Sequence, residues 1–422
     1  MKIKQYAFAI IGSCLLTQTS IAQEELSDDR QVEEREIRQQ SISQPFYKRI
    51  TAIQELMDAD ETRAEALESA KVQEGNGRLN NYERALLFQT IGFIYTNESN
   101  YPDGIKYFEK SLAEDALPNE AQQGMLFSLA SLYMQVEEYR KAIETARRWF
   151  KYEQDPSGEA YILIAQAYSQ LSEFKNAQPY VEKAIEVKEE PQKSWHQLLL
   201  AVYFETDQKP KAIPLLRKMV QIWPDEKQFW QTLSGIHMEL KEDQEALATL
   251  MVAYRGALLD DDENAQLTLA QLNIFLNSPY TAGVIVEKGL ASGVIERNKK
   301  NLELLQSAWS GAREYDKALA TMGDLGNLTG DPLWAFRQAK VYNELGNWDR
   351  VVETAQVAIE RNYERPGEAY ILIGIAHAES GRLRDAKTAF QSATESDNEN
   401  DRKNAAGWLA YINDRLSTGA SS

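Results

Sequence analysis

The sequence predicts an all-α solenoid of stacked helix pairs, and three observations predict it. The heptapeptide GEAYILI occurs at residues 158–164 and again at 367–373. Small residues follow each copy at matching places, Ala165 and Gly374 directly behind it, Ala177 and Ala386 twelve positions further on. Using the second of these as a ruler gives Gly104, Ala142, Ala177, Ala212, Ala246, Ala282, Ala318, Val351 and Ala386, at gaps of 38, 35, 35, 34, 36, 36, 33 and 35. Each of the nine units carries two stretches with apolar residues at helical spacing, joined by a short polar turn such as SEF, KED or GNW. A catalytic loop has no reason to recur in this way, whereas a stacked structural unit has every reason.

The elements follow in chain order. Residues 1–22 place Lys2 and Lys4 ahead of an apolar run from Tyr6 to Leu16 and then Ser20, Ile21 and Ala22, the order of a secretory signal peptide, with cleavage expected after Ala22. A rival reading takes 11–14 as a lipoprotein box with Cys14 acylated, but the apolar stretch ahead of Cys14 is short and continues beyond it. Export into a two-membrane envelope implies the periplasm. Residues 23–43 are almost wholly polar or charged and cannot bury a core, so a solvated, flexible leader is expected.

From 44 to 83, Phe46, Ile50, Ile53, Leu56, Met57, Ala66 and Ala70 return at helical spacing, a divergent helix pair that covers the edge of the first unit. The nine units occupy 84–396, and a proline such as Pro118, Pro156, Pro191, Pro224, Pro332 or Pro366 closes many of them. Gln266 and Asn273 replace the usual aromatics of the sixth unit, NSPY stands at its turn, and Val351 replaces an alanine in the eighth. Local distortion is expected there. Residues 397–416 read as a capping helix with Ala406, Leu409, Ile412 and Leu416 on one face, followed by a disordered tail at 417–422.

The pattern Phe88-Ile91-Gly92-Tyr95 then Phe108, Leu126-Leu129-Ala130-Tyr133 then Ala142, Tyr161-Ile164-Ala165-Tyr168, and Trp230-Leu233 then Ala246 resembles the tetratricopeptide (TPR) repeat. The resemblance implies a right-handed superhelix of about nine to ten helix pairs. It also implies a concave face lined by the first helix of each unit. The positions carried over are Gln89 and Phe93, Phe127 and Met134, Ile162 and Gln166, Gln197 and Phe204, Gln231 and Met238, and Leu267 and Gln271. The lysines and asparagines of carboxylate-clamp repeats are missing there. Glutamine amides suit an extended backbone, and Phe and Met suit adaptable apolar pockets.

The stretches PFYKRITAIQELMDA, LNNYERALLFQTIGFIY, SWHQLLLAVYF, NLELLQSAW and RPGEAYILIGIAHAESGRLRDAKTAF are similar to periplasmic TPR proteins encoded with TonB, ExbB and ExbD energy-transduction systems. That resemblance implies an adaptor in TonB-dependent outer-membrane uptake, with Ton components as partners. A scaffold for assembly of outer-membrane, polysaccharide or pilus machinery is the alternative.

No enzyme, cofactor or metal site is expected. His196, His237 and His377 lie in separate units, and the last two take a packing position held by tyrosine elsewhere. The GNGR at 75–78 lacks the strand and lysine of a phosphate loop. Asp260, Asp261, Asp262 and Glu263 lack the spacing of an EF-hand and read as a helix start. With Cys14 removed, the chain has no thiol. The net charge of −18, or −20 without the two leader lysines, disfavours nucleic acid and favours neutral or basic partners.

Overall fold

In a computed structural model, residues 41–419 and Leu26, Ser27, Val32, Glu33 and Arg35 are described; the signal segment, Cys14 and the end of the tail lie outside the described residues. Twenty-one helices and no strand occur among them. Two compact units divide at Leu215/Leu216.

The first unit holds the pairs α1 (Gln44–Met57) and α2 (Arg63–Glu74), α3 (Asn81–Asn97) and α4 (Tyr101–Ala113), α5 (Asn119–Gln135) and α6 (Tyr139–Phe150), and α7 (Gly158–Gln170) and α8 (Phe174–Val187). α9 (Lys193–Glu205) follows, and the division falls inside α10 (Lys209–Ile222). The second unit holds α11 (Lys227–Glu239) and α12 (Asp243–Arg255), α13 (Glu263–Phe275) and α14 (Pro279–Ser292), α15 (Lys299–Gly311) and α16 (Tyr315–Thr329), α17 (Leu333–Glu344) and α18 (Trp348–Glu360), α19 (Pro366–Glu379) and α20 (Leu383–Ala393), and the single helix α21 (Glu399–Gly419).

Why each hairpin turns where it does is visible in the backbone. Ser99, Glu137, Ser172, Asp207, Lys241, Asn277, Arg313, Gly346 and Gly381 all have positive φ, between 54° and 75°. They recur at the spacing of the ruler residues, each five positions ahead of one. The amide after each of them donates to the carbonyl five residues back: Asn100 to Tyr95, Glu138 to Tyr133, Glu173 to Tyr168, Glu242 to His237, and so on to Arg382 and His377, at 2.7 to 2.9 Å. This is the Schellman closure, which satisfies the last carbonyls of the first helix and reverses the chain.

The ruler residues Ala142, Ala177, Ala212, Ala246, Ala282, Ala318 and Ala386 are fully buried. The small residue of the first helix has a sharper role than a bare helix crossing. A Cβ on Gly92 would collide with the ring of Phe108, and one on Gly374 with the ring of Phe390, so the missing side chain makes room for an aromatic of the second helix.

Several expectations are corrected. The sixth repeat is not distorted. Pro279 starts α14, Asn277 holds the same left-handed turn as its counterparts, and buried Gln266 and Asn273 donate to the carbonyls of Leu259 and Leu269 at 2.8 Å. Buried Val351 fits its alanine position. On α21 the buried face is Ala405, Ile412 and the Trp408 ring, which stacks parallel on Phe390 at 5.4 Å, while Ala406 is exposed. Leu409, Ile412 and Leu416 pack against this cluster as expected, and only Ala406 departs, its place taken by Ala405.

The charged leader also departs from a purely solvated chain at its described residues. Glu33 N–H donates to the Lys151 carbonyl at 2.9 Å, and Arg35 reaches Asp115, the Leu117 carbonyl and Asn119. Nearer α1, the Ser43 amide donates to Glu83 at 2.8 Å and Asn80 donates to the Ser41 carbonyl. Burial raises the Glu83 carboxyl, but the amides of Ser43 and Asn80 outweigh it and hold the group below its ordinary range.

Candidate functional site

The expected site residues divide between the two units. In the first, α5 projects Phe127, Ser131 and Met134 from one face, because residues three and four apart lie above one another on a helix. α7 adds Glu159, Ile162, Leu163 and Gln166, and the start of α9 adds Gln192 and Trp195. Together they enclose a cavity of about 280 Å³.

Its floor is apolar and fixed. Ile162, Leu163 and Trp195 are buried, and partly buried Phe127 leans on Trp149 with ring centroids 5.4 Å apart. A Cβ on Gly158 would strike Trp195, so the glycine that opens the heptapeptide seats this indole. The rim is polar. Gln166 and Gln192 are exposed, and Glu159 accepts a 2.9 Å bond from Lys188 that holds its carboxyl below the ordinary range. Such a pocket suits one apolar side chain of a ligand whose backbone runs past amides and a carboxylate.

Of the twelve positions carried over, Phe127, Met134, Ile162 and Gln166 therefore come together. Elsewhere in the first unit, Gln197 is exposed, Phe204 is 37% exposed, Gln89 is half-buried, and Phe93 packs edge-on against Phe108 at 5.0 Å. In the second unit Gln231 is already engaged, donating to Asp262 at 2.8 Å, and Met238 packs against the hydrophobic core. Gln271 is exposed. Glu159, Ser131, Gln192 and Trp195 were missed as pocket residues. Trp195 sits at a core position of its helix, and nothing in its spacing marks it as a pocket wall.

The acidic stretch is structural. Asp262 accepts from the Ala265 amide to cap α13, and Lys227 bridges Asp261 and Asp262 at 2.9 and 3.6 Å. Buried His196 meets the Gln192 carbonyl and buried His237 meets Glu242. Among the described residues no three His, Cys, Asp or Glu side chains are placed to hold a metal ion, and no helix is long and apolar enough to cross a membrane.

Helix pairs repeating at about 35 residues, closed by identical turns and packed through small residues, define an α-repeat protein. The repeats are of one particular kind. Residues 158–191 and 367–400, the two stretches that open with GEAYILI, match the family model described as tetratricopeptide repeat. A search of curated proteins found no match.

Similar solved structures include a tetratricopeptide repeat protein from Parabacteroides merdae, 15% identical, covering 63% of this chain and 99% of that one at a TM-score of 0.36. Another is the C-terminal part of a TPR repeat-containing protein from Cytophaga hutchinsonii, 13% identical over 67% and 95% of the two chains at a TM-score of 0.38. A third is MamA from Desulfovibrio magneticus, 15% identical over 44% and 99% at 0.36. At these scores the assignment rests on the repeats themselves.

Proposed function

We propose that the chain is a non-enzymatic periplasmic adaptor that binds an extended protein segment in the pocket between α5, α7 and α9. Tetratricopeptide arrays are protein-interaction scaffolds, generally without catalysis of their own. The observation that carries the site is the apolar pocket of Phe127, Met134, Ile162 and Trp195 rimmed by Gln166, Gln192 and Glu159.

The system it serves is, in this proposal, TonB-dependent outer-membrane transport, supported by the signal-like start of the sequence and the family-like segments quoted above. The strongly negative charge favours a partner segment that is basic around its apolar anchor.

A photo-reactive amino acid placed at exposed Gln166 in the native host tests both parts. Cross-links to a Ton-system component that vanish in Phe127→Ala/Met134→Ala support the proposal. Cross-links only to outer-membrane, polysaccharide or pilus assembly proteins would overturn the Ton assignment and leave the pocket. Cross-links that persist in the double variant would overturn the pocket.

A further inference from the structure

A second set of convergent polar groups lies on the edge formed by the loops between repeats. The loop after α4 presents Asp115 and the Leu117 carbonyl, the first residue of α5 presents Asn119, and the loop after α6 presents the Lys151 carbonyl. Glu33 and Arg35 of the chain's own leader are already seated there. Arg35 donates through Nε to Asp115 at 2.9 Å and through Nη1 to the Leu117 carbonyl at 2.7 Å and to Asn119 at 3.3 Å. Its side chain is only 10% exposed, although it belongs to one of the most polar stretches of the sequence. Two residues earlier, Glu33 donates its backbone N–H to the Lys151 carbonyl and sets its carboxylate 3.4 Å from the Lys151 ammonium. This is how an extended peptide is held: a backbone hydrogen bond fixes the register and one planar guanidinium fills a socket of acceptors.

The described leader residues leave space beside them. A cavity of about 430 Å³ remains between Val32, Glu33 and Arg35 on one side and Asn119, Gln122, Gln123 and Tyr152 on the other. Gln122 is buried there with its Oε1 unpartnered, while Gln123 donates to the Tyr152 carbonyl. A buried amide oxygen without a donor is costly, and a ligand that brings an N–H to it binds better than the leader does. Asp115 is 71% exposed, so the ion pair that holds Arg35 is open to water and salt on one side.

We propose that this edge is an arginine-recognising peptide site, filled in cis by the leader and taken in trans by an extended partner segment that carries an arginine and a donor for Gln122. The leader is then a displaceable strap, a built-in competitor that sets the affinity any partner must exceed. The site is separate from the apolar pocket. It stands on the contacts of Arg35 and Glu33 and does not depend on the function proposed above. Gln123 and Phe127 lie one helical turn apart on the same face of α5, so a partner segment long enough to use both sites would lift the strap as it enters the pocket.

The test uses the whole exported chain and a fluorescent peptide spanning residues 28–40. Removing the guanidinium with Arg35→Ala empties the socket, so this variant binds the peptide at least tenfold more tightly than the wild type. Adding Asp115→Asn to it abolishes that gain. Asparagine tolerates the positive φ of 46° at this position, so the loop keeps its shape. In parallel, hydrogen exchange at the Glu33 amide is slowed in the wild type and fast in Arg35→Ala, with exchange in α5 and α6 unchanged. Equal peptide affinity for wild type and Arg35→Ala, or unslowed exchange at Glu33 in the wild type, overturns the proposal. Binding to Arg35→Ala that survives Asp115→Asn overturns the arginine socket.

Discussion

At the scale of single residues, the small positions decide which helices can touch. Gly92 and Gly374 face Phe108 and Phe390 without room for a methyl group. Gly92→Ala and Gly374→Ala should each lower stability by about 1–3 kcal/mol, the usual cost of overpacking, and Ala177→Trp or Ala212→Trp by at least as much. Denaturant titrations check this. Full stability in the alanine variants would mean that the rings slide aside freely. His377 gives a pH prediction. Burial, and then the charge of Arg382, hold its imidazole below the ordinary value of 6.5. The unfolded chain therefore takes up this proton at a higher pH than the folded chain does. The stability it confers is complete above about pH 6.5 and is lost as pH falls below that value. Unfolding midpoints measured from pH 8 to about pH 5 should decline less steeply in His377→Gln, and parallel curves would contradict the assignment.

At the scale of the helix pair, the repeat is defined by its turn as much as by its packing. The nine repeat hairpins all close through a left-handed residue and a Schellman bond, yet only Asn277, Gly346 and Gly381 announce it. Gly346→Val should cost about 1–2 kcal/mol, because a β-branched side chain is strained at φ 68°, and Gly346→Asn should cost less. Thermal melts that rank valine no worse than asparagine would show that the turn does not need this conformation. The same turns explain what could be read from the sequence. The ruler of buried alanines was legible because close packing tolerates few residue types, so the repeat length and the nine repeats followed from it. The left-handed turns were not, since Glu137, Lys241 and Arg313 carry no sequence mark of positive φ. Their conformation is imposed by the helices they join. The sixth repeat misled because buried Gln266 and Asn273 satisfy their amides on local carbonyls, which spacing alone does not reveal.

At the scale of the whole molecule, the site was legible only in part. Residues on one face of one helix, such as Phe127 and Met134, could be grouped from helical spacing, and Gln166 joined them from the next repeat. Gln231 and Met238 could not be sorted from them. Whether a side chain at such a position is free or already engaged depends on neighbours from other elements, here Asp262 and the core around α13. The strongly negative charge adds a kinetic expectation: association with a basic partner segment should slow as salt rises from about 50 to about 500 mM, with dissociation much less affected. Salt-independent association would point to a neutral partner.

The central claim is that the pocket between α5, α7 and α9 anchors a partner segment. Isothermal titration of the exported protein with the segment cross-linked through Gln166 tests it most directly, comparing wild type with Phe127→Ala/Met134→Ala. Buried anchors contribute about 2 kcal/mol or more, so the account predicts affinity at least tenfold weaker in the double variant, with a folded, cooperatively melting protein. Unchanged affinity in that variant would contradict it and move the binding surface away from this pocket.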